Sequence, residues 1–314
     1  MEEEQEFRSG RRKKRKFRFG RLFFLLMLPL IAIGIFAFIQ FYNGYAQADD
    51  TEQESVNFSG DSSNSDFENT LVLGVDARGE EQSRTDTMML VSHNKESNEI
   101  KVTSFMRDIY AQIPGYQPYK LNTAYYLGGA DLLADTLRGM FGLEIHHYAL
   151  LDFKSFEALV DVVAPNGVEI NVEKEMSKDI GVTLTPGLQQ LNGQELLGYA
   201  RFRADSEGDF GRVRRQQEVI GALKEELISI SAIPKYPRLA GAAQGHIQTD
   251  ITMPKQIELA ARLAVGGGGE VERLTIPVDN SYHFNSYPHA GSVIELDLEA
   301  NKRALSEFLS QPLE

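Results

Sequence analysis

Residues 22–42 run for 21 positions without a charged side chain, and no other stretch limits the chain so strongly. At about 1.5 Å per residue such a run is long enough to cross the hydrocarbon core of a bilayer as one helix. Pro29 and Gly34 interrupt it, which membrane helices tolerate. Just before it stand Arg11, Arg12, Lys13, Lys14, Arg15 and Lys16, then Arg18 and Arg21. The positive-inside rule puts this basic end in the cytoplasm, against anionic lipid, and everything after Tyr42 outside. Ala46-Gln47-Ala48 resembles a signal-peptide cleavage site, but secretory signals have a shorter apolar region, so the run reads as an uncleaved anchor. The expected organisation is a basic cytoplasmic segment over 1–21, a transmembrane helix over 22–42 and an extracytoplasmic domain over 69–314. A stalk rich in Asp, Glu, Ser, Asn and Gln joins them over 43–68.

Charge divides along the same line. Residues 1–42 hold nine Lys/Arg against four acids, and the rest holds 23 against 41, a net charge of −18. So acidic a surface is a poor partner for nucleic acid, and an anionic ligand would need a local cluster of bases. The absence of cysteine excludes disulfides, thiolate nucleophiles and Cys-ligated metals. The histidines show no metal-binding pair at helical spacing, and no Gly-x-Ser-x-Gly elbow presents a serine nucleophile. The glycine run at 266–269 lacks the Lys-Ser/Thr of a phosphate loop and reads as a linker.

Apolar and β-branched runs bounded by turn residues predict strands over 70–75, 87–92 and 100–105, then 167–172 and 273–278. Helical patterns occupy 121–141, 152–163, 193–200, 211–231, 254–265 and 300–309. This mixture predicts an α/β domain, a mixed central β-sheet covered by helices on both faces, preceded by the one transmembrane helix.

Three segments carry candidate chemistry. In the first, Leu71, Leu73 and Val75 share one strand face, and Asp76 emerges at the strand's carboxyl end, where α/β sheets bind ligands. Arg84 and Asp86 follow, two residues apart and so on one side of an extended backbone. Two carboxylates beside arginines suit Mg²⁺, which takes one or two protein carboxylates and completes its shell with water and phosphate oxygens; turn and capping acids paired with surface arginines fit the spacing equally. The second segment holds Arg107-Asp108 just beyond a strand, then Lys120, with Asn122 placed to cap the next helix. The third is the densest. Arg201 and Arg203 flank Phe202, and Arg212, Arg214 and Arg215 open a helix whose stripe of Val213, Gln216, Ile220, Leu223 and Leu227 is otherwise apolar. Arginines at a helix start oppose its dipole unless an anion compensates, and bidentate hydrogen bonding favours phosphate or pyrophosphate.

In chain order these segments resemble the LytR-CpsA-Psr family of cell-envelope proteins. The resemblance rests on Gly-x-Asp-x-Arg at 74–78, Ser-Arg-Thr-Asp-Thr at 83–87, Phe-Met-Arg-Asp at 105–108 and Lys-Leu-Asn-Thr-Ala-Tyr at 120–125 with Gly128-Gly129. It continues through His-Tyr and Asp-Phe within 147–153, Leu-Asn-Gly-Gln-Glu-Leu at 191–196, Tyr-Ala-Arg-Phe-Arg at 199–203 and Gly-Asp-Phe-Gly-Arg at 208–212. Phe-Met-Arg stands where Ile-Pro-Arg is usual, and Thr85 replaces a common serine; neither change removes a charge. The resemblance implies a membrane-anchored transferase that moves a teichoic-acid or capsule-type glycopolymer from a polyprenyl-pyrophosphate carrier to peptidoglycan outside the membrane. It implies that Arg84, Arg107, Arg201, Arg203, Arg212 and Gln216 grip the pyrophosphate, with Lys120 as a helper. It implies that Asp76 and Asp86 hold Mg²⁺, and either aspartate is a candidate general base, although metal ligation lowers basicity. The alternatives are a membrane-anchored regulator of envelope gene expression and a polyprenyl-pyrophosphate hydrolase or binding module.

Overall fold

In a computed structural model of the full chain the described residues are 19–46, 58–62, 66–76, 85–97, 99–229, 234–266 and 271–310. Arg84, most of the basic segment and residues 47–57 of the expected stalk lie outside them. Two compact units divide the chain, Met1–Ile39 and Gln40–Glu314. The uncharged run lies inside helix α1, Phe19–Tyr45. Its side chains are described only from Ala32 onward, and among the described residues no helix is long and apolar enough to cross a membrane.

The larger unit is an α/β domain around a six-stranded mixed sheet. Its strands are β1 (Phe67–Val75), β2 (Thr85–Asn94), β3 (Ile100–Phe105), β6 (His147–Asp152), β9 (Gln248–Thr249) and β10 (Glu272–Ile276), in the order β10-β3-β2-β1-β6-β9. β1 runs parallel to β6 and β3 parallel to β10, while β2 is antiparallel to both of its neighbours. The carboxyl ends of β1, β3, β6 and β10 therefore meet the start of β2 along one edge of the sheet.

Alternation along β1 and β2 builds two layers. Leu71, Leu73, Met88 and Leu90 belong to one buried cluster with Leu133, Leu137 and Phe141 of α2 (Leu121–Phe141) and Leu305 of α8 (Leu298–Ser310). Val72, Gly74, Thr87 and Met89 meet the other layer. That layer contains α3 (Phe153–Val163), α4 (Gly193–Arg201) and α5 (Gly208–Ile228). The Leu-Asn-Gly-Gln-Glu-Leu segment starts α4 with a capping box: Asn192 Oδ1 accepts from Glu195 N and Glu195 Oε2 accepts from Asn192 N, both at 3.0 Å. Asn122 does not cap α2 as expected. It is buried inside the helix, and Lys120 stands at the N-cap with no side-chain cap bond. Gly129 breaks α2 with a φ of 65°, a left-handed value that glycine adopts without strain.

Several elements differ from the sequence reading. Within the expected stalk α1 runs on to Tyr45, Asp61 Oδ2 accepts from Arg138 Nε at 2.7 Å, Phe58 packs on Tyr148 at 5.1 Å, and β1 begins at Phe67. Among the described residues strand β7 (Val168–Val172) pairs only with β8 (Gly187–Leu191), in a ribbon outside the main sheet. Strand β6 escaped notice because Ala149, Leu150 and Leu151 favour helix in isolation; pairing with β1 overrides that preference. The hairpin of β11 (Tyr282–Tyr287) and β12 (Gly291–Leu296) was also missed. Its exposed first strand carries His, Asn and Ser rather than an alternating apolar pattern.

Candidate functional site

The edge where the strand ends meet is shaped by a β-bulge. Gly74 pairs with Thr87 and Val75 with Thr85, which leaves Asp86 as the extra residue. The buried Thr85 hydroxyl, 2.9 Å from the Gly74 carbonyl and 2.8 Å from that of Thr87, stitches the bulge together. Gly74 is required by close approach, since a Cβ there would lie 2.9 Å from Thr87 Cβ. At the bulge the Asp86 carboxylate accepts a hydrogen bond from Arg107 Nη1. Asp76, half-buried, follows β1 at the same sheet edge.

Arg107 and Arg212 form the charged centre. Arg212 is 4% exposed. Its Nη2 donates to Asp209 Oδ2 at 2.9 Å and to the Asp86 carbonyl at 3.3 Å, and its Nε has no hydrogen-bond partner among the described residues. Arg107 Nη2 lies 3.7 Å from Asp209 Oδ1, and its Nε lies 3.6 Å from Asp108 Oδ2. The two arginines respond oppositely to the same surroundings. Burial disfavours charge on both, but at Arg107 the carboxylates of Asp209, Asp86 and Asp108 outweigh it and raise the pKa. At Arg212 burial, with Arg107 and Arg203 adding like charge, outweighs Asp209 and Asp86 and lowers it. A buried guanidinium with an unpaired Nε and two cationic neighbours is a site that an anion would relieve.

The other predicted residues are arranged around this centre. Lys120 Nζ donates to Asp108 Oδ1 at 2.7 Å. Arg201 ends α4, and its guanidinium sits 4.6 Å from the centre of the Phe153 ring. Phe202 is buried behind it, and Arg203 is exposed with no described hydrogen bond or ion pair. Gln216 Nε2 donates to Thr87 Oγ1 at 3.0 Å. Two of the five arginines counted toward an anion site belong elsewhere. Arg214 is taken by Glu173, Glu207 and Glu218, whereas the fully buried Arg215 donates to the Phe202 carbonyl at 2.9 Å and to Asp205.

Beside this centre lies a cavity of about 280 Å³ between the sheet, α3, α4 and α5. Phe156, Leu159, Val163, Ile220, Leu223 and Leu227 make much of its wall, and Thr87, Asp152, Arg201 and Gln216 supply polar groups. The Asp152 carboxylate is committed to capping α3 through Ser155 N at 2.7 Å. Among the described residues no group of three or more His, Asp or Glu is placed to hold a metal ion. Asp76 follows β1 and Asp86 lies in the bulge of β2 at the same end of the sheet; two carboxylates alone would suit Mg²⁺ only in company with phosphate oxygens and water.

The LytR_cpsA_psr family model matches residues 35–305. The chain belongs to the LytR-CpsA-Psr family. It is 43% identical over 267 residues to the regulatory protein MsrR of Staphylococcus aureus, covering 85% of this chain and 82% of that one. It is 32% identical over 253 residues to the polyisoprenyl-teichoic acid–peptidoglycan teichoic acid transferase TagU of Enterococcus faecalis, covering 77% of this chain and 82% of that one. A solved structure of TagT bound to LI-WTA superposes with a TM-score of 0.63 at 25% identity, covering 84% of this chain and 99% of that one.

In this family member the sequence reading missed Asp209, the carboxylate shared by both central arginines, and Thr87, the partner of Gln216. Asp209 carried a signal, since an acid in the first turn of an arginine-rich helix suits both the dipole and the arginine three residues on. Thr87 and Phe153 lie within segments that carry the family resemblance, but their contacts were not readable, because their partners lie 129 and 48 residues away in the chain.

Proposed function

We propose that the protein transfers an anionic cell-wall glycopolymer from a polyprenyl-pyrophosphate carrier to peptidoglycan by phosphoryl transfer. The observation that carries this reading is the juxtaposition of an apolar cavity with a cluster of guanidinium groups, joined at Arg201 and Gln216. A polyprenyl chain and its diphosphate need those two environments side by side. The name of TagU, a relative at 32% identity, gives the same donor and acceptor classes.

In this mechanism the prenyl chain occupies the cavity and its diphosphate lies over Arg107 and Arg212, with Arg201, Arg203 and Arg84 around it and Lys120 as helper. Arg212 Nε gains the acceptor it lacks. An acceptor sugar hydroxyl attacks the phosphorus that bears the glycopolymer, its proton passes to the carboxylate of Asp76 or Asp86, and the bond to polyprenyl phosphate breaks, with the leaving charge held by the arginines. Asp76 and Asp86 would hold Mg²⁺, which would supply further positive charge to the diphosphate oxygens. No protein nucleophile is needed. The 21-residue uncharged run within α1 anchors the chain in a single pass, N-terminus inside, which keeps the site near lipid donors; Ile33, Phe36 and Phe38, each at least half exposed, suit a lipid surround.

The test is incubation of the full-length protein in detergent with a polyprenyl-pyrophosphate-linked glycan, Mg²⁺ and a peptidoglycan oligomer, followed by mass spectrometry. The expected result is Mg²⁺-dependent glycan on the oligomer, abolished by Arg201→Ala or Asp86→Ala. Release of glycan phosphate whether or not the oligomer is added would instead assign a hydrolase. The name of the 43%-identical MsrR favours a second reading, a membrane-anchored regulator. Under it, envelope-gene reporters would respond equally to the wild type and to an Arg201→Ala/Arg203→Ala protein.

A further inference from the structure

In-line displacement at phosphorus fixes the side from which an acceptor arrives. Attacking and leaving oxygens lie on opposite sides of the transferred group. If the lipid phosphate departs toward the cavity, which adjoins β2, β1 and β6, the acceptor enters from the other side of Arg107. In the strand order that side is β3 and β10, and the β11–β12 hairpin follows β10. The hairpin is tied directly to the site: Ile294 N donates to the Asp108 carbonyl at 2.8 Å, and Ile109 bridges Ile294.

One face of this hairpin carries an aromatic row. Phe210 follows Asp209, the carboxylate between the two central arginines. Its ring lies 5.4 Å from Tyr282, and Tyr282 meets Phe284 edge-on at 5.7 Å. Phe284 is 66% exposed. Isolated surface phenylalanines are unremarkable, but this one is braced by a second ring and ends a row that starts at the site. Of the residues sharing that face, Tyr282, Ile294 and Leu296 pack toward the core, and the exposed ones beside Phe284, Ser286 and Ser292, carry no charge. An uncharged, aromatic, hydroxyl-bearing face suits neither a polyanion nor a basic peptide. It suits a pyranose, whose ring C–H groups stack on the negative face of an aromatic ring.

We propose that Phe284, supported by Tyr282 and Phe210, is the platform on which the acceptor glycan strand stacks as its hydroxyl reaches the diphosphate. This rests on the transfer reading above. Calorimetric titration of the full-length protein in detergent separates the two, with soluble uncrosslinked strands of alternating N-acetylglucosamine and N-acetylmuramic acid in one arm and farnesyl diphosphate in the other. Phe284→Ala is expected to weaken glycan binding about tenfold, Phe284→Trp to retain it, and neither to change farnesyl diphosphate binding or Tm. Arg212→Ala is expected to weaken farnesyl diphosphate binding and leave glycan binding intact. Equal glycan affinity in wild type and Phe284→Ala overturns the platform, as does a wild type that binds farnesyl diphosphate but no glycan. Phe284-dependent glycan binding without any farnesyl diphosphate binding leaves the platform standing and overturns the donor reading.

Discussion

Arg212→Ala separates the proposed function of the arginine cluster from its contribution to the fold. The substitution removes one charge-assisted bond to Asp209 at 2.9 Å and a longer one to the Asp86 carbonyl at 3.3 Å, about 1.5–3 kcal/mol in favourable surroundings. Against that loss, it ends the burial of a cation and its repulsion by Arg107 and Arg203, and Asp209 keeps Arg107 as a partner. Folding stability is therefore expected to change by only about 1 kcal/mol. Diphosphate binding has no such offset, because a buried guanidinium on a phosphate is worth roughly 2–5 kcal/mol on truncation. Taking the lower bound, the dissociation constant rises about thirtyfold. A farnesyl diphosphate concentration 100 times the wild-type Kd stabilises the wild type by about 2.7 kcal/mol and the variant by about 0.9 kcal/mol. For a domain of this size these are ligand-induced rises in Tm of about 5–10 °C and 2–4 °C. Arg214→Ala is the comparator. Its guanidinium is engaged by Glu173, Glu207 and Glu218, so the ligand-induced shift should match the wild type. An undiminished shift in Arg212→Ala, or an equal loss in Arg214→Ala, would refute the assignment of Arg212 to the anion.

Three further outcomes are expected. His147 is held between Asp250 Oδ2 at 2.7 Å and Glu68 Oε1 at 3.2 Å. The Asp250 hydrogen bond and both carboxylate charges raise its pKa against the effect of burial. A histidine pKa raised by folding stabilises fully below its unfolded value, about 6.5, and that stabilisation fades as pH rises through the folded value. The Tm advantage of wild type over His147→Gln should shrink between pH 6 and pH 9. Gly74→Ala places a methyl 2.9 Å from Thr87 Cβ, so Thr87 must move and its bond from Gln216 is disturbed. A loss of about 1–3 kcal/mol in chemical denaturation is expected, together with weaker farnesyl diphosphate binding. Ile220→Trp intrudes on the cavity, and long polyprenyl diphosphates should lose at least about tenfold in affinity while inorganic pyrophosphate binds unchanged.

How far these features could be read from the sequence depends on how far away their partners lie. Asp76, Asp86, Arg107, Arg201 and Arg212 stood out as candidates because anion and metal chemistry would need those residue types, and because strand ends and helix starts are local signals. The separation of Arg212 from Arg214 and Arg215 was not. All three lie within one turn of α5, and only the positions of Glu173, 41 residues from Arg214, and Asp205 decide which arginines are neutralised. Nor could periodicity show the bulge opposite Gly74, which leaves Asp86 as the extra residue of the ladder. The stripe of Ile220, Leu223 and Leu227 was legible as apolar. Whether such a stripe meets a packed core or borders a cavity depends on how closely α3 and α4 approach α5, which no periodicity encodes. The same limit explains β6, whose helix-favouring residues became a strand only because β1 lies beside them. The candidate residues were thus local enough to read and the contacts around them were not, which is why the proposed acceptor platform rests on strand order: Asp209 and Phe210 adjoin in the chain, but Tyr282 and Phe284 approach them from more than 70 positions away.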